Sequence, residues 1–570
     1  MNYKHWLAEQ LAGKFEGLDR ETLADLIEYP PNPQMGDLSL PCFKLAKALR
    51  KAPQAIAEEL KAGWTPDASV ERVDAVAGYF NVYLNPSQFA SQVIRAVQEQ
   101  GARYGSQNIG QGRNIVIDFS SPNIAKTFHI GHLRSTVIGN ALYKIFEFLG
   151  YNSVGINHLG DWGTQFGKLI VAYKLWGDKD AVEADGIAEL QRIYVKFHDE
   201  ADAKPELDDE ARAWFVKLEQ GDAEATELWR WFVDISLKEF HKMYEILGVS
   251  FDSYAGESYY NDKMAAVLDE LKAKSLLEED QGALLVRLDD YNMPPALMVK
   301  KDGGTLYHTR DVTAALYRKR TYDFEKAVYV TDAGQSLHFH QWFKVLELMG
   351  YEWAANQLQH VPFGKVSLEN AKLSTRKGNV INLEDLLGKA IEKTRSIIEE
   401  KNPGMVNKDE TARQIGVGAI IFNDLSNNRI KDIVFSWDDA LNFEGESGPY
   451  VQYAHARACR VIGKADPAEV AAAASLNPEH LTNPEAQAVL RELYLFKERV
   501  EQAMHKLEPS IVSRYLIDLA QSFNHFYHQC KIVTADEAEV RIARLALTDC
   551  FRTTIRNGLS LIGLEAPNEV

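Results

Sequence analysis

Two histidines three residues apart, His129 and His132, stand at the start of an amphipathic segment that follows an apolar one. Residues at this spacing share a helix face. The amino end of a helix attracts anions through its free N–H groups and its dipole, so the pair could bond phosphate oxygens as charge moves onto a departing pyrophosphate. Gly131 leaves room there for a flat base. The pair alone is more often two surface histidines on a helix, so its context decides.

That context is a strand, a turn and a helix. Residues 115–119 form an apolar run, SSPN makes a turn, and the apolar residues from Leu133 to Leu149 fall on one helix face. This unit opens a doubly wound sheet, whose crevice binds ligands where strand ends meet helix starts. Further strands are predicted at 153–157, 327–330 and 360–363. We therefore predict an α/β fold with a Rossmann-like parallel sheet.

The rest of the chain divides around this sheet. The pattern of residues 1–110 predicts an α/β module with a strand in GYFNVYL. A Gly- and Asn-rich linker near 105–114 marks the end of this module. A catalytic domain at 111–390 contains a helical insertion at about 175–290 and a hairpin, ALMVKKDGGTLYHTR, that turns at DGG and returns the chain to the sheet. Connecting helices at 391–440 lead to an all-α bundle at 441–570.

Composition restricts the class of protein. A length of 570 residues implies several domains, and the amino terminus lacks the apolar core of a signal peptide. No apolar stretch reaches the roughly 20 residues that span a bilayer, so we expect a cytoplasmic protein without a membrane partner. The four cysteines lack CxxC spacing and predict no zinc site. The net charge of −18 means that any RNA contact must be local.

The segment SSPNIAKTFHIGHLRST resembles the adenylate-binding signature of class I aminoacyl-tRNA synthetases, and its extended form is similar to that of arginyl-tRNA synthetases. NHLGDWGTQFG, LYHTRDVTAAL and SGPYVQYAHAR are similar to further motifs of that family, in the same order. The resemblance spans nearly the whole chain. It implies ATP-dependent activation of L-arginine and transfer to tRNA(Arg), with Mg²⁺ accompanying ATP and no zinc; we expect a monomer.

The resemblance also assigns an arginine pocket. A guanidinium presents five fixed donors, which carboxylates and carbonyls match. The positions that match the family's pocket are Asp118, Asn123, Tyr307, Asp311 and Gln335. Asp311 has an alternative, as the cap of a helix that begins at Val312. An acid that closes an apolar strand, as Asp118 does, is costly unless it is paired.

Two further motifs concern ATP and the adenylate. DWGTQFG offers Asp161 and Gln165 for positioning, while Trp162 is as readily explained by core packing. LSTRKG resembles the family's KMSKS loop, with Thr375 in the place of the second lysine. The residues expected to act there are Lys372, Ser374, Arg376 and Lys377, and Lys126, three residues before His129, is our candidate for the missing charge.

Three alternatives stay open. A nucleotidylyltransferase acting on a small molecule could share the histidine pair, but it would need no helical carboxyl-terminal domain. A non-catalytic RNA-binding paralogue would be expected to lose the histidines or Asp118, all of which are present. A synthetase for another amino acid is opposed by the paired acids and the family match. We assign anticodon binding to the helical domain as a whole, since its aromatic helix SFNHFYHQCKI could equally be a core stripe.

Overall fold

A computed structural model describes residues 2–15, 18–30, 32–301, 304–368, 382–473 and 477–570. Its contacts divide the chain into two units, each built from separate pieces of sequence. The first unit comprises Met1–Tyr104, Arg457–Leu495 and Leu519–Thr554, and the second comprises Gly105–Ala456, Phe496–Asp518 and Ile555–Val570. No helix in the part of the chain that the structure describes is long and apolar enough to cross a membrane.

The first unit begins with a small antiparallel sheet of order β1-β3-β2. The predicted strand GYFNVYL is confirmed as β3, and its side chains Phe80, Val82 and Leu84 alternate into the core. The strands and helices of this segment are β1 (Leu38–Pro41), β2 (Val70–Val76), β3 (Tyr79–Leu84), α1 (Tyr3–Leu11), α2 (Arg20–Leu26), α3 (Phe43–Leu49), α4 (Pro53–Ala62) and α5 (Pro86–Gln100).

Long-range hydrogen bonds join this segment to later residues of the same unit. The backbone N–H of Tyr3 donates to the Tyr494 hydroxyl over 2.8 Å, and the Tyr104 hydroxyl donates to the Leu493 carbonyl over 2.9 Å. The later residues belong to the carboxyl-terminal helices α19 (Gly448–Gly463), α20 (Pro467–Ala472), α21 (Pro484–Lys506), α22 (Ser510–Gln529) and α23 (Ala538–Leu561). The amino-terminal segment therefore forms this unit together with residues that lie more than 350 positions later in the chain, Arg457–Leu495 and Leu519–Thr554.

The second unit is built on a four-stranded parallel sheet of order β10-β9-β4-β5, which confirms the predicted α/β class. Its strands are apolar along their length because helices cover both faces. The strands and their connecting helices are β4 (Asn114–Asp118), α6 (Ile130–Phe148), β5 (Asn152–Ile156), β9 (Lys326–Asp332), α14 (Ser336–Leu348), α15 (Ala354–Gln357) and β10 (Leu358–Phe363). The strand order reverses between β4 and β9, where such sheets bind ligands.

A helix-rich insertion separates β5 from β9, as the sequence predicts. Its elements are α7 (Thr164–Trp176), α8 (Lys179–Asp185), α9 (Ile187–Ala201), α10 (Glu206–Glu219), α11 (Ala223–Leu247), α12 (Met264–Ala273), β6 (Glu278–Asp280), β7 (Ala283–Val286), β8 (Ala296–Val299) and α13 (Tyr307–Tyr322). After β10 come β11 (Val366–Leu368), α16 (Leu383–Lys401), α17 (Lys408–Leu425), β12 (Ile433–Phe435) and α18 (Trp437–Ala440). The prediction of helices beyond residue 390 is confirmed, apart from the short strand β12.

The predicted hairpin forms only in part and does not return the chain to the parallel sheet. The Lys300 N–H donates to the Gly304 carbonyl over 2.8 Å and the Leu306 N–H donates to the Met298 carbonyl over 3.0 Å. Strand β8 pairs instead with β7 in a separate antiparallel sheet, and after it only one bridge forms in the described residues, between Val299 and Thr305. Helix α13 then begins at Tyr307, because Val312, Ala315 and other apolar side chains at helical spacing pack into the core. Residues 302 and 303 of the DGG turn lie outside the described residues.

Candidate active site

A cleft with a volume of about 750 Å³ lies where the sheet reverses its strand order, beside the carboxyl ends of β4, β9 and β10. Strand ends and the start of α6 supply most of its walls, as expected for a doubly wound sheet. The cleft brings together eight residues that the sequence singled out. They are Asp118, Asn123, His129, Gly131, His132, Tyr307, Asp311 and Gln335.

The histidine pair caps helix α6. His129 is the N-cap, and its Nδ1 accepts from the N–H of Gly131 over 3.0 Å, while His132 Nδ1 accepts from the N–H of His129 over 3.3 Å. The rings stack with centroids 3.8 Å apart. Because both Nδ1 atoms accept, each neutral ring carries its proton on Nε2 and can donate a hydrogen bond there.

Burial keeps these rings neutral. It lowers the pKa of His129, with help from the nearby charge of Lys126, and it lowers the pKa of His132 well below its ordinary value, with help from His129 and Lys126. A Cβ atom at Gly131 would lie 2.8 Å from Cε1 of His129, so glycine there makes room for the histidine ring as the structure stands. The pair therefore offers hydrogen-bond donors rather than positive charge.

Asp118 closes β4, as predicted, but it already has a cationic partner within the protein. Its Oδ2 lies 2.7 Å from Nη1 of Arg318, on α13, and its Oδ1 accepts from the Ser121 hydroxyl over 2.9 Å. Only 7% of Asp118 and 1% of Arg318 are exposed. This internal guanidinium balances the charge of Asp118, so the carboxylate lines the cleft as one half of a buried ion pair.

Asp311 lies in the second turn of α13, so the alternative that it caps a helix starting at Val312 is excluded. Nε2 of His338 lies 2.5 Å from its Oδ2, and the His308 ring lies 4.4 Å from the His338 ring. Burial opposes ionisation of Asp311, yet the hydrogen bond from His338 and the neighbouring histidines hold the pKa of the Asp311 carboxyl below its ordinary value. The carboxylate therefore remains ionised at neutral pH.

Glu257 is a functional candidate that the sequence reasoning missed. It lies in a short 3-10 helix, Glu257–Tyr260, lines the cleft, and approaches Nη1 of Arg310 to 3.6 Å. Burial raises the pKa of Glu257 to about 7; Arg310 opposes the shift, while the negative charges of Asp311 and Asp161 add to it. Its surroundings, YAGESYYND, match no motif, so only the fold brings this acid into the cleft.

Asp161 and Gln165 are not among the residues that line the cleft. Asp161 accepts from the backbone N–H and the hydroxyl of Ser258 over 2.8 and 2.6 Å, which holds the turn that carries Glu257. Gln165 donates to the Trp162 carbonyl over 3.2 Å. The Trp162 ring packs against the rings of Phe215 and Trp229, as the core-packing interpretation expects.

Lys126 is the one predicted phosphate-binding cation within the described residues, and it does not line the cleft. It is exposed, although its charge reaches both histidines. Lys372, Ser374, Arg376 and Lys377 lie outside the described residues. The described chain resumes at Asn382, which forms an antiparallel bridge with His129. Among the described residues, no group of three or more His, Cys, Asp or Glu side chains could hold a metal ion.

Comparison with known proteins identifies the family. Residues 93–437 match the model for the catalytic domain of tRNA synthetases class I (R), residues 1–84 match the arginyl tRNA synthetase N terminal domain, and residues 451–570 match the DALR anticodon binding domain. The chain is 54% identical over 569 residues to an arginine--tRNA ligase of Alkaliphilus metalliredigens, and 52% identical to one of Clostridioides difficile; each alignment covers 100% of both proteins. The chain belongs to the arginyl-tRNA synthetase family.

Solved structures of this family have the same architecture. The Thermus thermophilus arginyl-tRNA synthetase aligns with a TM-score of 0.79 at 26% identity, over 95% of this chain and 96% of that one. The Plasmodium falciparum enzyme aligns with a TM-score of 0.80 at 24% identity, over 100% and 98% of the two chains, which supports the fold alone. The family assignment confirms the resemblance seen in the motifs, and with it the predicted class of enzyme.

Proposed function

We propose that this cleft joins arginine to tRNA(Arg) at the expense of ATP. The arginine carboxylate attacks the α-phosphorus of ATP, giving arginyl-adenylate and pyrophosphate. A terminal ribose hydroxyl of the tRNA, the 2′ by class resemblance, then takes the acyl group and releases AMP. No covalent enzyme intermediate is needed, so catalysis consists of positioning and electrostatic stabilisation.

The observation that carries the proposal is a pair of acids in one cleft with the histidine pair. Asp311 and Glu257 both line it, and the negative charge of Asp311 adds to the burial that makes Glu257 harder to ionise. A guanidinium bound between them would relieve that repulsion and match its fixed donors to carboxylate oxygens. Tyr307, Asn123 and Gln335 line the same cleft, which supports the proposal that they surround the amino acid.

Asp118 takes a different place in this scheme from the one first predicted. Its ion pair with Arg318 stabilises the end of β4 from which the cleft wall begins. We propose that Asp118 shapes the arginine pocket through this pair. Asp161 likewise acts indirectly. It accepts two hydrogen bonds from Ser258, and these bonds fix the position of the neighbouring Glu257.

ATP would occupy the end of the cleft formed by the start of α6. The neutral rings of His129 and His132 would donate from Nε2 to phosphate oxygens, and the free N–H groups of the helix would favour negative charge. Mg²⁺ would arrive with the ATP phosphates. Lys126 and the loop residues Lys372, Ser374, Arg376 and Lys377 remain our candidates for stabilising the departing pyrophosphate.

The remaining domains would bind the tRNA. We propose that residues 1–110 contact its outer corner and 441–570 its anticodon, with 111–390 catalytic and 391–440 connecting them. The matched models at 1–84, 93–437 and 451–570 support the amino-terminal, catalytic and carboxyl-terminal parts of this division, while the boundary at 390 is our own proposal. As family resemblance implies, adenylate should form only when tRNA is bound. We expect the enzyme to act as a monomer in the cytoplasm.

The test is ATP-dependent pyrophosphate exchange and aminoacylation with each amino acid, with and without a tRNA(Arg) transcript. We expect turnover with arginine alone, and only when tRNA is present. Turnover with lysine or another amino acid in preference to arginine would contradict the substrate assignment. Exchange in tRNA-free, nuclease-treated enzyme would contradict the coupling but leave the substrate assignment intact.

A further inference from the structure

The described residues that line the cleft provide little positive charge for a polyphosphate ligand. Its lining contains four acids, Asp118, Glu257, Asp311 and Asp332, and its histidines at the start of α6 are neutral. ATP carries several negative charges that must be met by cations or by fixed donors. Among the described residues that line the cleft, Arg134 and Lys365 are the only two lysines or arginines.

Arg134 is buried and is held by contacts within the protein. Its Nη1 donates to the carbonyls of Gly364 and Lys431 over 2.7 and 2.8 Å, and its Nε lies 3.4 Å from Oδ1 of Asp424. Only 1% of Arg134 is exposed. This guanidinium therefore holds helix α6 against the segment that follows β10, and it is not available to a ligand.

Lys365 differs from Arg134 in its side chain, which has no hydrogen-bond partner among the described residues, although its backbone is held in place. The carbonyl of the preceding Gly364 is held by Arg134, and the Lys365 N–H donates to Oδ1 of Asp432 over 2.7 Å. Its exposed side chain makes no hydrogen bond or ion pair within the described part of the chain. Such an ammonium is anchored at its base and can reach a ligand without giving up a protein partner.

The anchoring also connects Lys365 to the helix that begins with the histidines, and all three residues line the cleft. Arg134 belongs to the first turns of α6, the helix that His129 caps, and it bonds directly to the residue before Lys365. We propose that Lys365 binds the polyphosphate of ATP and supplies part of the charge that Thr375 does not provide in the KMSKS-like loop. This assignment rests on the proposed binding of ATP in the cleft.

Kinetics of Lys365→Met and Lys365→Arg test this role, with Lys326→Met as control. Lys326 begins β9 at the opposite, amino end of the sheet, so its variant makes the same charge change away from the cleft. We expect Lys365→Met to lower kcat/KM for ATP by about ten- to a hundredfold, the effect of losing one charged hydrogen bond. Lys365→Arg should restore most of it, and KM for arginine should change less than twofold.

Product inhibition separates a phosphate contact from a contact to the base. Inhibition by pyrophosphate should weaken about tenfold in Lys365→Met, and inhibition by adenosine should stay unchanged. The assignment would be overturned if adenosine inhibition weakened while pyrophosphate inhibition stayed unchanged. It would also be overturned if kcat/KM for ATP changed less than twofold, or if KM for arginine changed as much as kcat/KM for ATP. Wild-type charging of tRNA(Arg) in the same assay keeps the outcomes apart: if it fails, the proposed function fails, and if it succeeds, only the role of Lys365 is at stake.

Discussion

At the scale of single residues, the proposed place of Glu257 in the arginine pocket predicts that arginine binding depends on pH. Its carboxyl has a pKa of about 7 without ligand, and only the ionised form attracts a guanidinium. The affinity is therefore full above pH 7 and lost as the pH falls through 7. We expect the Kd for arginine, measured with tRNA present, to be about tenfold weaker at pH 6 than at pH 8. Asp311 stays ionised over this range because its pKa is lowered.

Replacing the carboxyl isolates this effect. Glu257→Gln should weaken arginine binding by about thirtyfold or more at pH 8, as expected when one partner of a buried charge pair is lost, and it should flatten the pH dependence. Glu279→Gln, an exposed acid on β6, is the control. A Glu257→Gln variant that keeps the pH dependence of wild type would show that another group is titrating.

The pair of Asp118 and Arg318 predicts a loss of stability together with a loss of function. Asp118→Asn leaves a buried guanidinium without its counter-ion, which costs about 3–5 kcal/mol. We expect a lower thermal unfolding midpoint as well as weaker use of arginine. The double variant Asp118→Leu/Arg318→Met should recover much of the midpoint, since apolar side chains replace both charges.

The KM for arginine in that double variant decides how Asp118 acts. Partial recovery of KM along with the midpoint supports a role through Arg318. A restored midpoint with no recovery of KM would instead favour direct contact between Asp118 and the substrate, as the family resemblance first implied. An unchanged midpoint in Asp118→Asn would contradict the ion-pair argument.

Sequence reasoning located the residues of the cleft better than it located their partners. Eight predicted residues, among them His129 and Asp311, do line one cleft. Local motifs could not reveal that Arg318 pairs with Asp118, because 200 positions separate them and only the packing of α13 on the sheet joins them. Glu257 was missed for the same reason, since nothing in its neighbours marks it until the fold is known.

At the scale of elements, helix α6 depends on a glycine for its contact with β4. A Cβ atom at Gly139 would lie 2.2 Å from Cβ and Cγ of Phe119, the residue that follows β4. We expect Gly139→Ala to destabilise the protein by about 1–3 kcal/mol, despite the better helix propensity of alanine. Because α6 begins with the histidine pair, kcat for adenylate formation should fall as well.

Gly388 provides the matched control for this helix. It lies within α16, and a Cβ atom there would meet nothing within 4 Å. Gly388→Ala should therefore stabilise the protein by about 0.5–1 kcal/mol, through helix propensity alone. Equal effects of the two variants on the unfolding midpoint would contradict the close approach of α6 to β4.

Periodicity predicted most elements because apolar spacing and core packing agreed. The runs at β4, β5, β9 and β10 were found within two residues of their ends. The hairpin after β8 stops at Leu306. Tyr and Thr in LYHTR favour a strand locally, whereas the apolar residues from Val312 onwards fix a helix through tertiary packing. The sequence of residues 296–310 alone does not contain that information.

At the scale of the whole molecule, the carboxyl terminus supports the second unit. Two side chains of the motif SGPYVQYAHAR hold it: Gln452 donates to the Glu565 carbonyl, and Nδ1 of His455 contacts the Pro567 carbonyl, each over 2.8 Å. Both side chains are fully buried. Deleting residues 565–570 removes both acceptors and no residue of the cleft.

We expect this deletion to lower the unfolding midpoint, because it removes one hydrogen bond from each of two buried side chains, at a cost of about 0.5–1.5 kcal/mol for each bond. Gln452→Leu should reproduce part of the change, and Glu569→Ala, on an exposed tail residue, should have little effect. Calorimetry of the four proteins provides the comparison. If the deletion variant unfolded at the same midpoint as the full-length protein, the terminus would not support the unit.

The discontinuous first unit has a consequence for how the protein is made. Residues Met1–Tyr104 leave the ribosome long before Arg457–Leu495 and Leu519–Thr554 are translated. At about 5–20 residues per second, the wait lasts roughly 20–90 s. Throughout it, Tyr3 and Tyr104 lack the partners that they bond in the finished unit. The nascent amino-terminal segment therefore waits for the residues that complete its unit, while the continuous stretch Gly105–Ala456 can begin to fold as it emerges.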